Sequence, residues 1–506
     1  MTRSTRIGTR SPCVRADRRG DLTLPRKGHH NEPMGAGLMR IGWVLLLMSI
    51  TACSSTVPPT PTASITATPS PTQVPTPSPS PTAVPGTLPV AGVGSLARVM
   101  AGEVHAASSP GGGSPASQPP ASSTADVIRE GELVQVMGGP VSSGGARWWE
   151  VTVGSLRGWV AEGTPDRPNL IDASSPASLD WNVWSFTNTT KLPAAVADLP
   201  ERVYVPNEAD DTISVIDAAS LKVIATLPTG RIPEHLTPDW DMSRLYVSNY
   251  ASPFLSVVDP RKVATADPIT AASPYNLYFS PDGSTAIVMA EDVNRIDFYD
   301  RRTWHLLKQL PIKWAGIDHA DFSAGGRYLL ASTEYAGHVL KVDVVTMSIV
   351  GDVAVGGLPI DVKLSPDGSV FFVANQGRHG VSVVDPFQMK EIAFIPTGKG
   401  AHGMAISRDT HSLYVSNRLA GTISVIDFAT RKVTATWKVG GSPDMLQVST
   451  DGTQLWTGNR FNSTVIVIST ATGNVVATIR VGHRPHGLTY FPQPGRFSVG
   501  HNGVYR

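Results

Sequence analysis

The sequence predicts an all-β protein whose main body is a seven-bladed β-propeller, preceded by a small β-barrel and a disordered Pro/Thr/Ser-rich tether. Three observations carry that prediction. The phrase LYVSNRLAGTISVID, Leu413 to Asp427, reads as a strand, a turn and a second strand, and it returns six more times between residues 200 and 470. The copies keep a near-constant period, because their closing residues Asp217, Asp259, Asp300, Asp343, Asp385, Asp427 and Ser469 are spaced 42, 41, 43, 42, 42 and 42 apart. Proline, 42 residues in all, is in excess over the first 125 positions, so the chain divides there into two compositions.

A formal net charge of +1 over 506 residues provides no global pull toward nucleic acid, and no nucleic-acid partner is expected. The only cysteines are Cys13 and Cys53, which leaves the following 453 residues without a disulfide or a thiolate metal site. Residues 1–33 are arginine-rich without apolar periodicity and read as a long n-region, or as sequence ahead of a true start at Met34 or Met39. Residues 34–53 read as a signal peptide: Arg40, the ten-residue apolar run Ile41 to Ile50, then Thr51-Ala52-Cys53. A run of ten is too short to span a bilayer as a helix. The pattern resembles the lipobox of bacterial lipoproteins, which implies cleavage before Cys53, lipidation of that residue and a membrane partner reached through the lipid anchor. A plain secretory signal or an uncleaved anchor is the alternative. Either way, an extracytoplasmic place in the cell envelope is expected.

Residues 54–93 are almost wholly Pro, Thr, Ser, Ala and Val, a composition that cannot offset its own ordering entropy. Biased toward polyproline II at about 3.1 Å per residue, such a tether reaches roughly 100 Å. Residues 94–165 then alternate as short strands bounded by glycine: Glu132-Leu133-Val134-Gln135-Val136, Arg147 to Val153, and Gly158-Trp159-Val160. With EVHAASSPG at Glu103 to Gly111 they resemble the bacterial SH3-like domain, from which they depart by the low-complexity insert GGGSPASQPPASST. The resemblance implies a spacer or a binder of peptidoglycan or another envelope partner. Trp148, Trp149 and Trp159 are the candidate cell-wall platform, set against the ordinary expectation that tryptophans on short strands fill a core. Residues 166–199, with Trp181 and Trp184, form a connector without an assigned role.

The repeats occupy residues 200–506. Turn phrases such as Ser280-Pro281-Asp282-Gly283 and Ser365-Pro366-Asp367-Gly368 place proline where φ near −65° is needed and glycine where a positive φ is tolerated. Four strands in about 42 residues make one blade, and only radial closure buries both faces and shields the edges of seven such sheets. The chain opens at Arg202-Val203-Tyr204-Val205 without a first strand and ends near Pro485 to Phe491 with an orphan one, so the last strand is expected to complete the first blade. Arg496 to Arg506 is left over. Tyr-Val-x-Asn at Tyr204, Tyr246 and Tyr414, with Phe372-Val373-Ala374-Asn375 as a near match, identifies residues 200–491 as similar to the YVTN β-propeller family. Members resemble surface-layer and periplasmic proteins, haem-binding nitrite reductase propellers and lactonases, so the resemblance does not choose a reaction.

Chemistry is sought where the copies differ. Each innermost strand follows a Gly-x-x-Pro phrase or its degenerate copy, whose last position is Pro233, Pro274, Ile317, Pro359, Ala401, Pro443 or Pro485. The next two residues of the blades supply Glu234, His235, Asn276, Asp318, His319, Asp361, His402, Asp444 and His486, a candidate ligand ring at the tunnel mouth. Imidazoles and carboxylates converging from different blades are what a divalent metal, a haem or a polar ligand requires, and His402 with His486 is the candidate metal pair. The plainer reading is that a wet tunnel mouth tolerates polar groups. Strand alternation also predicts that successive residues point to opposite faces, so that all nine do not meet. Asp217, Asp259, Asp385 and Asp427, and Asn249, Asn375 and Asn417, are expected to be turn residues. No Cys-x-x-Cys-His, phosphate loop, metalloprotease helix, calcium loop or serine elbow occurs. The expected function is a lipid-anchored binding or scaffold propeller, with a metal- or haem-dependent redox or lactonase-like protein and a surface-layer component as alternatives.

Overall fold

Each blade is an antiparallel meander whose three inner strands are buried on both faces, because a neighbouring blade covers each side. The segment Thr422–Asp427 is buried from Ile423 to Ile426, whereas the outer strand Lys432–Lys438 alternates between exposed and half-buried residues. The computed structural model describes residues 90–112, 125–164, 167–501 and 504–506, all within one compact unit, Pro79–Arg506. Cys53, the signal peptide and most of the tether lie outside the described residues.

Among the described residues seven blades close the ring. Blade 1 is Arg202–Asn207, Thr212–Asp217 and Lys222–Pro228, completed by Thr489–Phe491 on the inside, with Arg202 opposite Phe491 and Tyr204 opposite Thr489. The inner strands of blades 2 to 7 are Pro233–Pro238, Asn276–Phe279, Ile317–Phe322, Pro359–Leu364, Ala401–Ile406 and Pro443–Val448. The orphan last strand therefore fastens the ring as the repeats predict. The closing aspartates also act as expected: Asp217 Oδ1 accepts from Ser220 N at 2.8 Å and Asp427 Oδ1 from Thr430 N at 2.8 Å. Asn417 does more than turn the chain. Its Nδ2 donates to Ser424 Oγ at 2.9 Å and its Oδ1 accepts from Gly398 N at 2.9 Å, which ties two strands to the loop entering the tunnel.

Two segments depart from expectation. The leftover piece is part of the propeller: Ser498–Gly500 and Val504–Tyr505 extend blade 3 inward, with Gly500 opposite Tyr278. There Arg506 donates to Asp321 Oδ1 at 2.8 Å and to Ser323 O at 2.6 Å, and its guanidinium lies 5.2 Å from the Trp184 ring centre. The small module is likewise larger than 94–165. Its five-stranded sheet runs in the order Leu156–Ala161, Ala146–Val153, Leu133–Ser143, Leu96–Val99, Leu170–Asp172, so the closing strand falls in the expected connector. The idea of a tryptophan platform is corrected here, since Trp148 and Trp149 are 5% and 2% exposed and fill the core, while Trp159 is half-buried beside them.

The module rests on the propeller end opposite the first residues of the inner strands. Glu132 is buried and accepts from Ser323 Oγ at 2.9 Å and Gly325 N at 3.0 Å. Arg98 donates to Asp367 O at 2.7 Å, and Asp343 accepts from Ser155 N at 2.8 Å. Trp184 of the connector donates to Leu364 O at 3.4 Å and Arg506 of the final segment to Ser323 O, so both segments pack against that end as well.

Candidate functional site

The inner strands do not alternate where they enter the tunnel. In blades 2, 4, 5, 6 and 7 the pairing register slips directly after the Gly-x-x-Pro position, between Pro233 and His235, Ile317 and Ala320, Pro359 and Val362, Ala401 and Met404, and Pro443 and Leu446. A bulge leaves residues unpaired and re-aims them. Glu234 reaches His486 of the adjacent blade 1, and the next residue, His235, packs against His319 of blade 4. All nine candidates are buried, with Glu234 the most exposed at 7%.

Four of them meet. His402 of blade 6, Asp444 of blade 7, His486 of blade 1 and Glu234 of blade 2 come from consecutive blades. His402 Nδ1 is 3.1 Å and His486 Nε2 is 3.5 Å from Asp444 Oδ1, while His486 Nδ1 lies 2.8 Å from Glu234 Oε2. One donor atom from each of His402, Asp444 and His486 fits within 4.8 Å of the others. Asp444 Oδ2 and His402 Nδ1 are buried without an aligned hydrogen-bond partner.

Two more candidates, His235 and His319, meet beside this group, with their ring centres 4.9 Å apart and that of His235 4.7 Å from His486. Asp318 accompanies His319, its Oδ1 2.8 Å from His319 Nδ1. The remaining two serve the scaffold. Asn276 donates to the Tyr278 hydroxyl at 3.1 Å, and Asp361 accepts from Lys363 Nζ and from Met404 N, each at 2.8 Å.

Burial sets the protonation of this interior. It drives the imidazoles of His235, His402 and His501 well below the ordinary histidine value and that of His319 to about 3, so these rings are neutral at physiological pH. Burial alone would raise Asp444, but the guanidinium of Arg418, together with that of Arg460, outweighs it and holds the carboxyl well below the usual range. Asp318 goes the other way, raised by burial and by the neighbouring charges of Glu234 and Asp361. Glu334, raised to about 8 by burial and Asp318, faces the same interior.

Arg418, Arg460 and His501 were not among the sequence candidates. Arg418 Nη2 donates to Asp444 Oδ1 at 2.8 Å, and Arg460 bonds Glu208 and brings Nη1 to 3.7 Å from Asp444 Oδ2. A signal for the arginines exists: the residue after the repeat's asparagine position is Glu208, Tyr250, Glu291, Glu334, Gln376, Arg418 or Arg460, a second polar ring in strict repeat register. His501 carries no such signal, since it lies beyond the last repeat.

Comparison with known proteins places this geometry in a family. A family model described as YNCE-like beta-propeller matches residues 176–494. No curated protein matches the chain. A functionally unknown protein from Desulfotomaculum acetoxidans is 15% identical, covering 57% of this chain and 98% of its own, with a TM-score of 0.50. Kuenenia stuttgartiensis hydrazine synthase is 21% identical over 54% of this chain and 97% of its own, with a TM-score of 0.49. A putative 6-phosphogluconolactonase from Bacteroides fragilis is 17% identical over 59% of this chain and its full length, also with a TM-score of 0.49. At 15% identity the Desulfotomaculum likeness speaks for the fold alone.

Proposed function

The chain belongs to the YNCE-like beta-propeller family, and on that premise we propose that it is an exported, lipid-anchored propeller that binds a divalent transition-metal ion inside its tunnel. The observation that carries the binding reading is the donor set of His402, Asp444 and His486. Two imidazoles and one carboxylate are a donor set for borderline ions such as Zn²⁺ or Co²⁺, and three protein ligands leave a coordination position open. Glu234 beside Nδ1 of His486 supplies the carboxylate that orients a ligating imidazole, leaving Nε2 for the ion. Arg418 and Arg460 offset the buried carboxylate of Asp444 and the half-buried one of Glu208 without using Asp444 Oδ2 as an aligned hydrogen-bond acceptor.

An ion suits this interior better than a haem. The His235 ring stands only 4.7 Å from that of His486 and 4.3 Å from that of His501 centre to centre, which is contact distance and leaves no slot for a macrocycle between them. Export rests on the lipobox-like sequence ending at Cys53. In the cell, Cys53→Ala is expected to move the protein out of the membrane fraction; retention there would refute the lipid anchor.

The binding reading is tested by metal analysis of the full chain purified without chelators. The chain should carry at least one equivalent of a transition metal, and His402→Gln with His486→Gln should lose one equivalent while the melting profile stays that of a folded propeller. A metal content unaffected by the double substitution would refute the site.

A further inference from the structure

We propose that His235, His319 and His501 form a second metal centre whose third ligand is delivered by the final segment of the chain. This centre goes beyond the reading above and does not depend on it. His235 stands on blade 2 and His319 on blade 4. Between them blade 3 presents Tyr275 and Asn276, so the repeats alone leave an imidazole missing from that sector. The added strand Ser498–Gly500 lies against the inner strand of blade 3 and puts His501 into the gap. The three rings are fully buried and mutually close, with centres 4.9 Å apart for His235 and His319, 4.3 Å for His235 and His501, and 4.7 Å for His319 and His501. One nitrogen from each falls within 4.8 Å of the others.

The unpaired atoms point to a ligand. Both ring nitrogens of His235, both of His319 and Nε2 of His501 are buried without a hydrogen bond. Leaving such groups unsatisfied is costly, and because each neutral imidazole has one lone pair and one N–H, a bound cation relieves one nitrogen on each of the three rings. The surroundings already set the ring orientations. His501 Nδ1 lies 3.2 Å from the Tyr278 hydroxyl, and His319 Nδ1 lies 2.8 Å from Asp318 Oδ1 without being aligned for a hydrogen bond, so in both rings Nε2 is the nitrogen facing away from a neighbouring polar group. Two glycines make the assembly possible. A Cβ on Gly487 would sit 2.0 Å from His235 Nδ1, and one on Gly500 would sit 2.4 Å from the Tyr278 ring. Three neutral imidazoles with an open fourth position suit Zn²⁺ or Co²⁺.

A consequence is that the ion fastens the final segment to the ring, since His501 reaches the tunnel only with that segment in place. Stoichiometry separates this centre from the one at His402, Asp444 and His486. The chelator-treated full chain is titrated with Zn²⁺, and with Co²⁺ read by its absorption spectrum. Two equivalents are expected for the parent chain and one for His501→Gln. His319→Gln, on a different element, should lose the same equivalent, and each variant's melting curve reports that it is folded. Zn²⁺ should raise the melting temperature of the parent chain more than that of His501→Gln. One equivalent that survives both substitutions but is lost with His402→Gln and His486→Gln overturns this proposal and leaves the first site standing. One equivalent lost with His501→Gln but kept in the other double variant supports this proposal and overturns the first site. No binding at all, which would mean that water pairs the imidazoles, overturns both.

Discussion

At the scale of single residues, the tunnel is set by what one residue leaves room for in the next. Gly487 follows His486 in blade 1, and its missing side chain is where the His235 imidazole lies. Gly487→Ala forces that ring aside and is expected to destabilise the propeller by about 1–3 kcal/mol, as overpacking of a full interior does. It should also abolish binding at the centre of His235, His319 and His501. A thermal melt and a Zn²⁺ titration check both, and an unchanged titration would contradict the assigned position of His235. Legibility at this scale followed the repeat. His402, Asp444, His486 and Glu234 could be read as neighbours-to-be because each occupies one of the two positions after the Gly-x-x-Pro phrase in its own copy. His501 could not, since the contact that places it is a strand pairing between segments more than two hundred residues apart, which periodicity does not encode.

At the scale of elements, the bulge and the docked module carry the differences from expectation. Strand alternation is a rule for regular ladders, and five inner strands slip register at the tunnel entry, which periodicity does not announce. The module's outline was legible in its alternating segments, but its closing strand Leu170–Asp172 is only three residues long and too short to announce itself. Docking of the module depends on buried polar pairs. Glu132→Ala would strand the Ser323 hydroxyl and the Gly325 amide, at an expected cost of about 1–3 kcal/mol measured by denaturant unfolding. Asp343 gives the junction a pH dependence. Burial would raise its carboxyl, but N–H donation from Ser155 and Thr346 and the Arg327 charge hold it below the ordinary value. Its folded pKa therefore lies under its unfolded one, near 3.9, so the stabilisation is complete above that pH and is lost as pH falls through the folded value. The gap in melting temperature between the parent chain and Asp343→Asn should be full at pH 6 and narrow below about pH 4. A constant gap would show that the carboxylate's charge is not what holds the junction.

At the scale of the molecule, seven copies with an incomplete first and an orphan last strand announced both the ring and its closure. The structure closes as that count requires, through Thr489–Phe491 on Arg202–Asn207. A chain ending at Arg484 would leave blade 1 without its inner strand and is expected to lose cooperative thermal unfolding; retention of it would show that the other blades hold the ring without the fastener. The repeats explain the scaffold, while the chemistry sits where they diverge, in one group from blades 6, 7, 1 and 2 and a second from blades 2 and 4 with the final segment, the two touching where His235 packs 4.7 Å from His486. The central claim is that this interior holds transition metal. Anomalous X-ray diffraction from crystals of the full chain grown with Zn²⁺, collected at the zinc edge, tests it most directly. The account predicts a peak among His402, Asp444 and His486 and another among His235, His319 and His501; a tunnel without anomalous density beside zinc-occupied sites elsewhere would contradict it.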